Sequence, residues 1–269
     1  MKSKVVLITG GSSGIGKAIG ICLKGKGYIV YGTTRDTSKH TTFSEFPLLD
    51  MDVRNRETIK KTIELLLEKE SRIDVLINNA GIGITGPMEE TPPEEILKAF
   101  ATNFNGPISV INEVLPYMRT QGSGLIINIT SIAGYMGLPY RGVYSATKAA
   151  LELITESYRM ETKKFGVHFT TLAPGDFATN IASGRYHTPV FDNSPYKDSY
   201  KNTLEAIDAD VNSGGNPVEV GKKIAKIIAT KNPKPHYKVG SFLQKMAVIL
   251  KGILPGRWFE KMLENHSTH

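Results

Sequence analysis

Lys4, Val5, Val6, Leu7 and Ile8 form a short, largely apolar run that leads directly into Thr9, Gly10, Gly11, Ser12, Ser13, Gly14, Ile15 and Gly16. Past this turn, Ile15, Ile19 and Leu23 recur at helical spacing. A buried strand followed at once by a glycine-rich turn and a helix restricts a chain strongly. The strand must lie in a sheet, and the helix must cover that sheet. Glycines let backbone amides approach an anion closely, and a helix N-terminus adds a favourable dipole. The turn is therefore a candidate dinucleotide-phosphate site in a doubly wound α/β fold. Its spacing is G-x-x-x-G-x-G rather than G-x-G-x-x-G. A plain strand-to-helix turn accounts for one such glycine but not for three glycines and two serines.

The same alternation runs on along the chain. Strands are expected at 5–9, 29–33, 48–52, 75–79, 124–130, 167–173 and near 237–239, with helices between them. This pattern predicts a parallel sheet of about seven strands covered on both faces, a three-layer α/β/α Rossmann-type arrangement. A helix over 94–120 contains Pro107 and Pro116 and is expected to be kinked or shortened. The 269 residues suffice for one large domain burying roughly three-quarters of the unfolded chain's surface. Residues 182–217 mix Gly, Ser, Asn, Pro and Asp with three tyrosines and read as a long loop, which in a compact domain is usually functional or flexible.

No apolar run approaches about 18 residues and no signal-like segment opens the chain, so a cytoplasmic protein is expected. The single cysteine, Cys22, can form no internal disulfide, and the six histidines show no metal-ligand spacing, so no metal is expected. The net charge of +7 is unevenly placed. From Pro217 onward the chain carries ten Lys or Arg against three Asp or Glu, so the whole excess is C-terminal.

Between Thr130 and Lys148 lies a second constellation. Ser131 precedes Tyr144 by thirteen residues, and Tyr144 and Lys148 stand at i and i+4 of an expected helix. A free tyrosine has a pKa near ~10, and a neighbouring ammonium favours its phenolate. Such a pair can move a proton. Taken alone, the spacing is better explained by Tyr144 as an amphipathic core residue and Lys148 as a solvated charge.

Taken together, the glycine turn, Asp52 with Val53, the run Asn78, Asn79, Ala80 and Gly81, Asn103 in N-F-N-G, Ser131 in T-S-I-A-G, Tyr144 with Lys148, and Pro174 and Gly175 followed by Thr179 resemble the short-chain dehydrogenase/reductase family. The resemblance covers about residues 4 to 180. It implies that Tyr144 is the general acid or base, that Ser131 holds the substrate oxygen, and that Lys148 lowers the tyrosine pKa and binds the nicotinamide ribose. Asn103 would fix a water in a proton relay. The cofactor would be held by Thr9, Gly10, Ser12, Ser13, Gly14, Ile15 and Gly16, by Asp52 and Val53 at the adenine, and by Asn79, Ala80 and Gly81 at the ribose. Pro174, Gly175 and Thr179 would meet the carboxamide. In isolation, Asp52 as a cap of the next helix and Thr179 as part of an ordinary loop are the preferred readings. The resemblance further implies that 182–217 is a substrate lid and that the protein is a homodimer or homotetramer paired through the helices of Asn103 and Tyr144.

Cofactor choice turns on the end of the second strand. Thr34 stands where NAD-dependent members of that family carry an acid, and Arg35 follows with a planar fork of donors suited to a 2′-phosphate, which favours NADP(H) over NAD(H). Ser13 and Lys17 could add to such a site. Alternatively, Arg35 is a solvated charge and Asp36 discriminates.

The C-terminal segment, about 241–264, places Phe242, Met246, Ile249, Leu250 and Ile253 on one helical face, with Lys245 and Lys251 elsewhere. This basic amphipathic helix packs on the body, walls an apolar substrate cavity, or rests on an anionic membrane surface. The segment and the lid are similar to those of hydroxysteroid and retinol dehydrogenases. The resulting expectation is an NADP(H)-dependent oxidoreductase interconverting a lipophilic ketone or aldehyde and an alcohol. The alternatives are a 3-ketoacyl carrier-protein reductase and a non-catalytic NADP(H)-binding sensor. No nucleic-acid-binding motif accompanies the basic C-terminus.

Overall fold

The alternation of apolar runs and helical patterns resolves into a parallel sheet with helices on both sides. In the computed structural model, which describes residues 3–177, 184–212 and 214–267, the N-terminal half contains β1 Val5–Ile8, α1 Gly14–Lys24, β2 Ile29–Thr34, β3 Leu48–Asp50, α2 Arg56–Glu70, β4 Val75–Asn78 and β5 Ile84–Thr85. There follow α3 Pro93–Phe100, α4 Gly106–Gln121, β6 Gly124–Ile129, α5 Gly142–Thr162, β7 Val167–Pro174 and β8 Tyr186–His187. The chain ends with α6 Lys197–Asn212, α7 Val218–Ala229, β9 His236–Val239, α8 Phe242–Ile253 and α9 Gly256–Ser267.

Seven strands pair in the order β3-β2-β1-β4-β6-β7-β9, all parallel. All seven expected strands are present. The strand residues are apolar on both faces because both faces are covered. On one side Leu7, Leu76 and Ile126 pack with Ile59, Ile63, Val110 and Val114 of α2 and α4. On the other, Ile8, Ile77 and Ile127 pack with Ile19 and Leu23 of α1 and Val220 and Ile224 of α7. Chain order reverses between β1 and β4, which opens a crevice beyond their C-terminal ends.

The helix expected over 94–120 extends from Pro93 to Gln121 but is not uniform. A π-helical turn, Ala101–Asn105, joins α3 to α4 immediately before Pro107. Proline has no N–H to close an α-helical bond, and the widened turn absorbs that break without ending the helix. Pro116 stays inside α4.

The stretch 182–217 is not a loop throughout. Among its described residues, Tyr186 and His187 pair in parallel with Ile84 and Thr85 as a second, two-stranded sheet, and α6 is a helix of 16 residues. The polar composition of α6 hides its periodicity: among its described side chains Tyr200, Thr203 and Ile207 are buried, and of these only Ile207 is aliphatic.

In the C-terminal segment the apolar residues divide between two sides of the helix. Ala247, Val248, Leu250 and Leu254 pack with Ile132, Met136 and Phe259, whereas Phe242, Leu243, Ile249 and Ile253 are exposed. The inner side is one step around the helical wheel from the face expected, and a Ser241–Gln244 capping box starts α8. Among the described residues no helix is long and apolar enough to cross a membrane.

Candidate active site

At the switch point the ends of β1 and β4 are tied by side chains. Thr9 Oγ1 accepts from the backbone N–H groups of Asn79 at 2.9 Å and Ala80 at 3.0 Å, and Asn79 Nδ2 donates to the carbonyls of Thr9 at 3.0 Å and Gly10 at 3.1 Å. These bonds fix the turn that follows. Gly10 sits at φ +65° and Gly14 at φ +52°, where only glycine is unstrained. A Cβ on Gly16 would lie 2.6 Å from Asn79 Nδ2, and one on Gly11 would lie 2.7 Å from Gly32 Cα. Ser13 precedes α1 in extended conformation with no capping bond from its side chain, so its hydroxyl and the first-turn amides remain free to receive an anion.

The turn opens into a cleft of about 510 Å³ running from Arg35, His40 and Asp52 past Gly10, Ser12, Ser13, Gly14 and Ile15 to Ser131, Tyr144 and Lys148. Val53, Asn79, Ala80, Gly81, Pro174 and Gly175 also line it. Three expected site residues stand behind the wall. Thr9 and Gly16 shape the turn as described, and Asn103 is fully buried. Thr179 lies outside the described residues. The cradle of glycines and the length of the cleft fit a nicotinamide dinucleotide, with its pyrophosphate at the turn.

The structure bears on two alternatives left open by the sequence. Asp52 is not a helix cap: Asn55 caps α2, accepting from Glu57 and Thr58, while the Asp52 carboxylate is bound by Arg54 at 3.0 and 2.6 Å. That guanidinium, followed by a backbone bond and then by Arg35, holds the Asp52 carboxyl below the usual range. Asp36 caps the turn Thr37–His40 and is occupied by Ser38 and Lys39, whereas Arg35 lines the cleft. Lys17, expected to add to this site, does not line it; it pairs with Glu45 at 2.5 Å and lies over the Phe43 ring.

At the other end, Ser131 ends the strand segment and caps the turn Ile132–Tyr135, accepting from Ala133 N–H at 3.2 Å. Its hydroxyl, 3.5 Å from the Pro174 carbonyl, lines the cleft with Tyr144. Lys148 is one turn further along α5, with Nζ 5.8 Å from the Tyr144 ring centroid and donating to the Ile129 carbonyl at 3.0 Å. Asn103 lies behind Gly81, its Oδ1 accepting from Ile82 N–H at 2.8 Å and its Nδ2 donating to Ile82 O and Thr147 Oγ1. The π-turn aims Asn103 inward at this point.

The electrostatics of Tyr144 and Lys148 are dominated by burial. Burial pushes the Tyr144 phenol up, and the groups that oppose this are Arg141 first, then the hydrogen bond with Ser131, and Arg185. Lys148 stands 5.8 Å from the Tyr144 ring centroid with its ammonium anchored to the Ile129 carbonyl. Burial brings Lys148 itself down to about 8, against the raising effect of Glu152.

Sequence reasoning does not single out Glu152, although it continues the face of Tyr144 and Lys148 by one more turn. It is buried, accepts from Thr130 and Thr171 at 2.6 Å each and from Tyr135 at 3.1 Å, and meets His236 Nδ1 at 2.8 Å. Arg141, three residues before Tyr144, also escapes it. Arg185 carries no local signal at all. Among the described residues, no cluster suited to a metal ion occurs.

The comparisons with known proteins agree with this geometry. The family model for short chain dehydrogenase matches residues 4–189. The chain is 38% identical over 264 residues to a 3-ketodihydrosphingosine reductase of Bacteroides thetaiotaomicron, covering 98% of this chain and 97% of that one. Its structure is similar to a short-chain dehydrogenase from Streptomyces avermitilis, with a TM-score of 0.83, 29% identity and coverage of 98% and 99% of the two chains. It is also similar to ElxO solved with NADP bound, with a TM-score of 0.72, 28% identity and coverage of 88% and 97%. From its sequence, its seven-stranded parallel sheet and these relatives, the chain belongs to the short-chain dehydrogenase/reductase family of oxidoreductases.

Proposed function

We propose that this protein is an NADP(H)-dependent reductase interconverting a ketone and a secondary alcohol, with the ketone carried on an apolar chain. The observation that carries this reading is the convergence of Ser131, Tyr144 and Lys148 on the end of the cleft opposite Arg35. The bound nicotinamide supplies the hydride. Tyr144, whose phenol burial keeps protonated, gives its proton to the carbonyl oxygen. Ser131 donates a hydrogen bond to the same oxygen and orients it. Lys148 supplies positive charge beside the ribose, and Asn103 holds the Ile82 backbone and Thr147 that flank it. Arg35 receives the 2′-phosphate, and its place in the cleft supports NADP(H) over NAD(H).

The relative's name, 3-ketodihydrosphingosine reductase, supports a ketone on a long chain. Two finer readings go with it. Phe242, Leu243, Ile253 and Trp258 are exposed near Lys245, Lys251 and Arg257, which supports peripheral contact with an anionic bilayer; sedimentation with anionic liposomes at low salt tests it, and no binding refutes it. Leu153 and Met160 are exposed on the outer side of α5, which supports pairing of two copies there; light scattering reads the mass.

The main test follows NADPH consumption with long-chain ketones, comparing wild type with Tyr144→Phe. General acid catalysis is worth about 10²–10⁴-fold, so the variant should lose at least that in turnover while still binding NADPH. Retained turnover would remove Tyr144 from the chemistry and with it this reading.

A further inference from the structure

The substrate end of the cleft carries more positive charge than proton transfer requires. Arg141 immediately precedes α5, and its guanidinium carbon lies 5.9 Å from the Tyr144 ring centroid. Among the described residues its guanidinium has no ion pair and no hydrogen-bond acceptor. It also stands at a helix N-terminus whose first turn holds no acid, where the helix dipole disfavours a cation and favours an anion. Arg185 enters from the opposite side, just before β8. Its stem rests on Gly83, where a Cβ would come 3.0 Å from Arg185 Cγ, and its side chain is only 6% exposed. One guanidinium nitrogen reaches Asp208 of α6 at 3.0 Å.

These two arginines line one cleft with Ser131 and Tyr144, and the one carboxylate bound to either of them among the described residues, Asp208 on Arg185, is itself half exposed. Burial, and next the neighbouring Arg141, weigh against the Arg185 charge, and both arginines act on Tyr144. The other nearby acid, Asp176, is bound by Gln244 Nε2 at 2.6 Å. Desolvated like charges oppose folding unless something compensates them. The cofactor's phosphates belong to the glycine turn and Arg35 at the other end, so the compensating group at this end comes from the substrate.

We propose that Arg141 and Arg185 form an oxyanion subsite beside Tyr144, and that the substrate is a ketone or alcohol carrying a carboxylate within a few bonds of the reacting carbon. The proposal rests on the reductase reading for the identity of that carbon. A guanidinium pair suits a carboxylate because each planar fork can donate two parallel bonds.

Binding of 3-hydroxydecanoate and of its methyl ester to the protein loaded with NADPH, a pair that has no hydride to exchange, measured by titration calorimetry, tests the subsite without turnover. A charged hydrogen bond is worth about 1.5–3 kcal/mol, so the acid should bind about 10- to 100-fold tighter than the ester. Arg141→Gln and Arg185→Gln should each remove most of that preference and leave the ester unchanged. Asp208→Asn frees Arg185 and should strengthen the preference, a gain that structural damage does not produce. Equal binding of acid and ester, failure of the acid to bind, or a preference that survives both arginine variants overturns the proposal. So does an equal loss of NADPH affinity in the arginine variants, which would assign them to a cofactor phosphate. Reduction of the corresponding 3-oxo acid and ester is read in parallel. Equal turnover of the two removes the subsite and leaves the reductase, whereas tight binding of the acid without any NADPH consumption removes the reductase and leaves the subsite.

Discussion

The two ends of the cleft are built from different material. Around Gly10–Gly16 the wall is backbone: Thr9 and Asn79 tie two strands together, and the glycines pass so close to Gly32 and Asn79 that no Cβ fits. Around Tyr144 the wall is made of side chains drawn from distant parts of the chain, with Arg141 on one side, Arg185 and Asp208 on another and Glu152 behind Lys148. A backbone wall recognises what every dinucleotide shares and tolerates little change. A side-chain wall sets charge and shape locally and can be altered while the sheet stays intact.

That contrast can be tested, beginning where the effect is greatest. Tyr144→Phe should cut turnover about 10²–10⁴-fold and leave the NADPH dissociation constant unchanged; parallel loss of both would mean that the two ends are not separable. Gly16→Ala should act in the opposite way, because its Cβ would meet Asn79 Nδ2 at 2.6 Å. Overpacking of this kind costs about 1–3 kcal/mol, readable as a lower denaturant midpoint together with weaker NADPH binding. Unchanged stability would show that the turn is softer than its contacts indicate. Arg35→Ala should narrow the preference for NADPH over NADH by about 10- to 100-fold, the worth of one charged hydrogen bond, with kcat little altered.

The smallest expected effect concerns pH. Lys148 is brought down to about 8 by burial, so its ammonium is present below that pH and is lost as pH rises through it. If the charge is needed for reduction, kcat/KM should be level below about pH 8 and decline above it. Because Glu152 raises the Lys148 value, Glu152→Gln should move the decline to lower pH, and Glu152→Asp should restore it. A loss of activity at all pH values with no displacement of the profile would reduce Glu152 to a packing role.

Much of this molecule is legible in its amino-acid sequence. The seven strands can be placed because residues buried on both faces read as unbroken apolar runs, as in Val5–Ile8 and Val75–Asn78. The glycine turn, Ser131 and the Tyr144–Lys148 pair are visible because their geometry is local or helical. The helix α6 is not visible, since its buried side includes Tyr200 and Thr203 and gives no apolar stripe. Lys17 is misplaced by sequence reasoning for a similar cause: its position on α1 is compatible with the cleft, but Glu45, beyond β2, holds it elsewhere.

The order of residues alone dictates the succession of strands and helices, the turn that no residue but glycine fits, and the one-turn spacing that puts Lys148 beside Tyr144. These follow from backbone sterics and from the periods of strand and helix, which operate over a few residues. The packed fold is what selects the cations that act on Tyr144, gives Asp208 to Arg185, and sets Glu152 behind Lys148. Burial and Coulomb interaction depend on distance through space, and the groups that meet at this end of the cleft come from segments tens of residues apart along the chain.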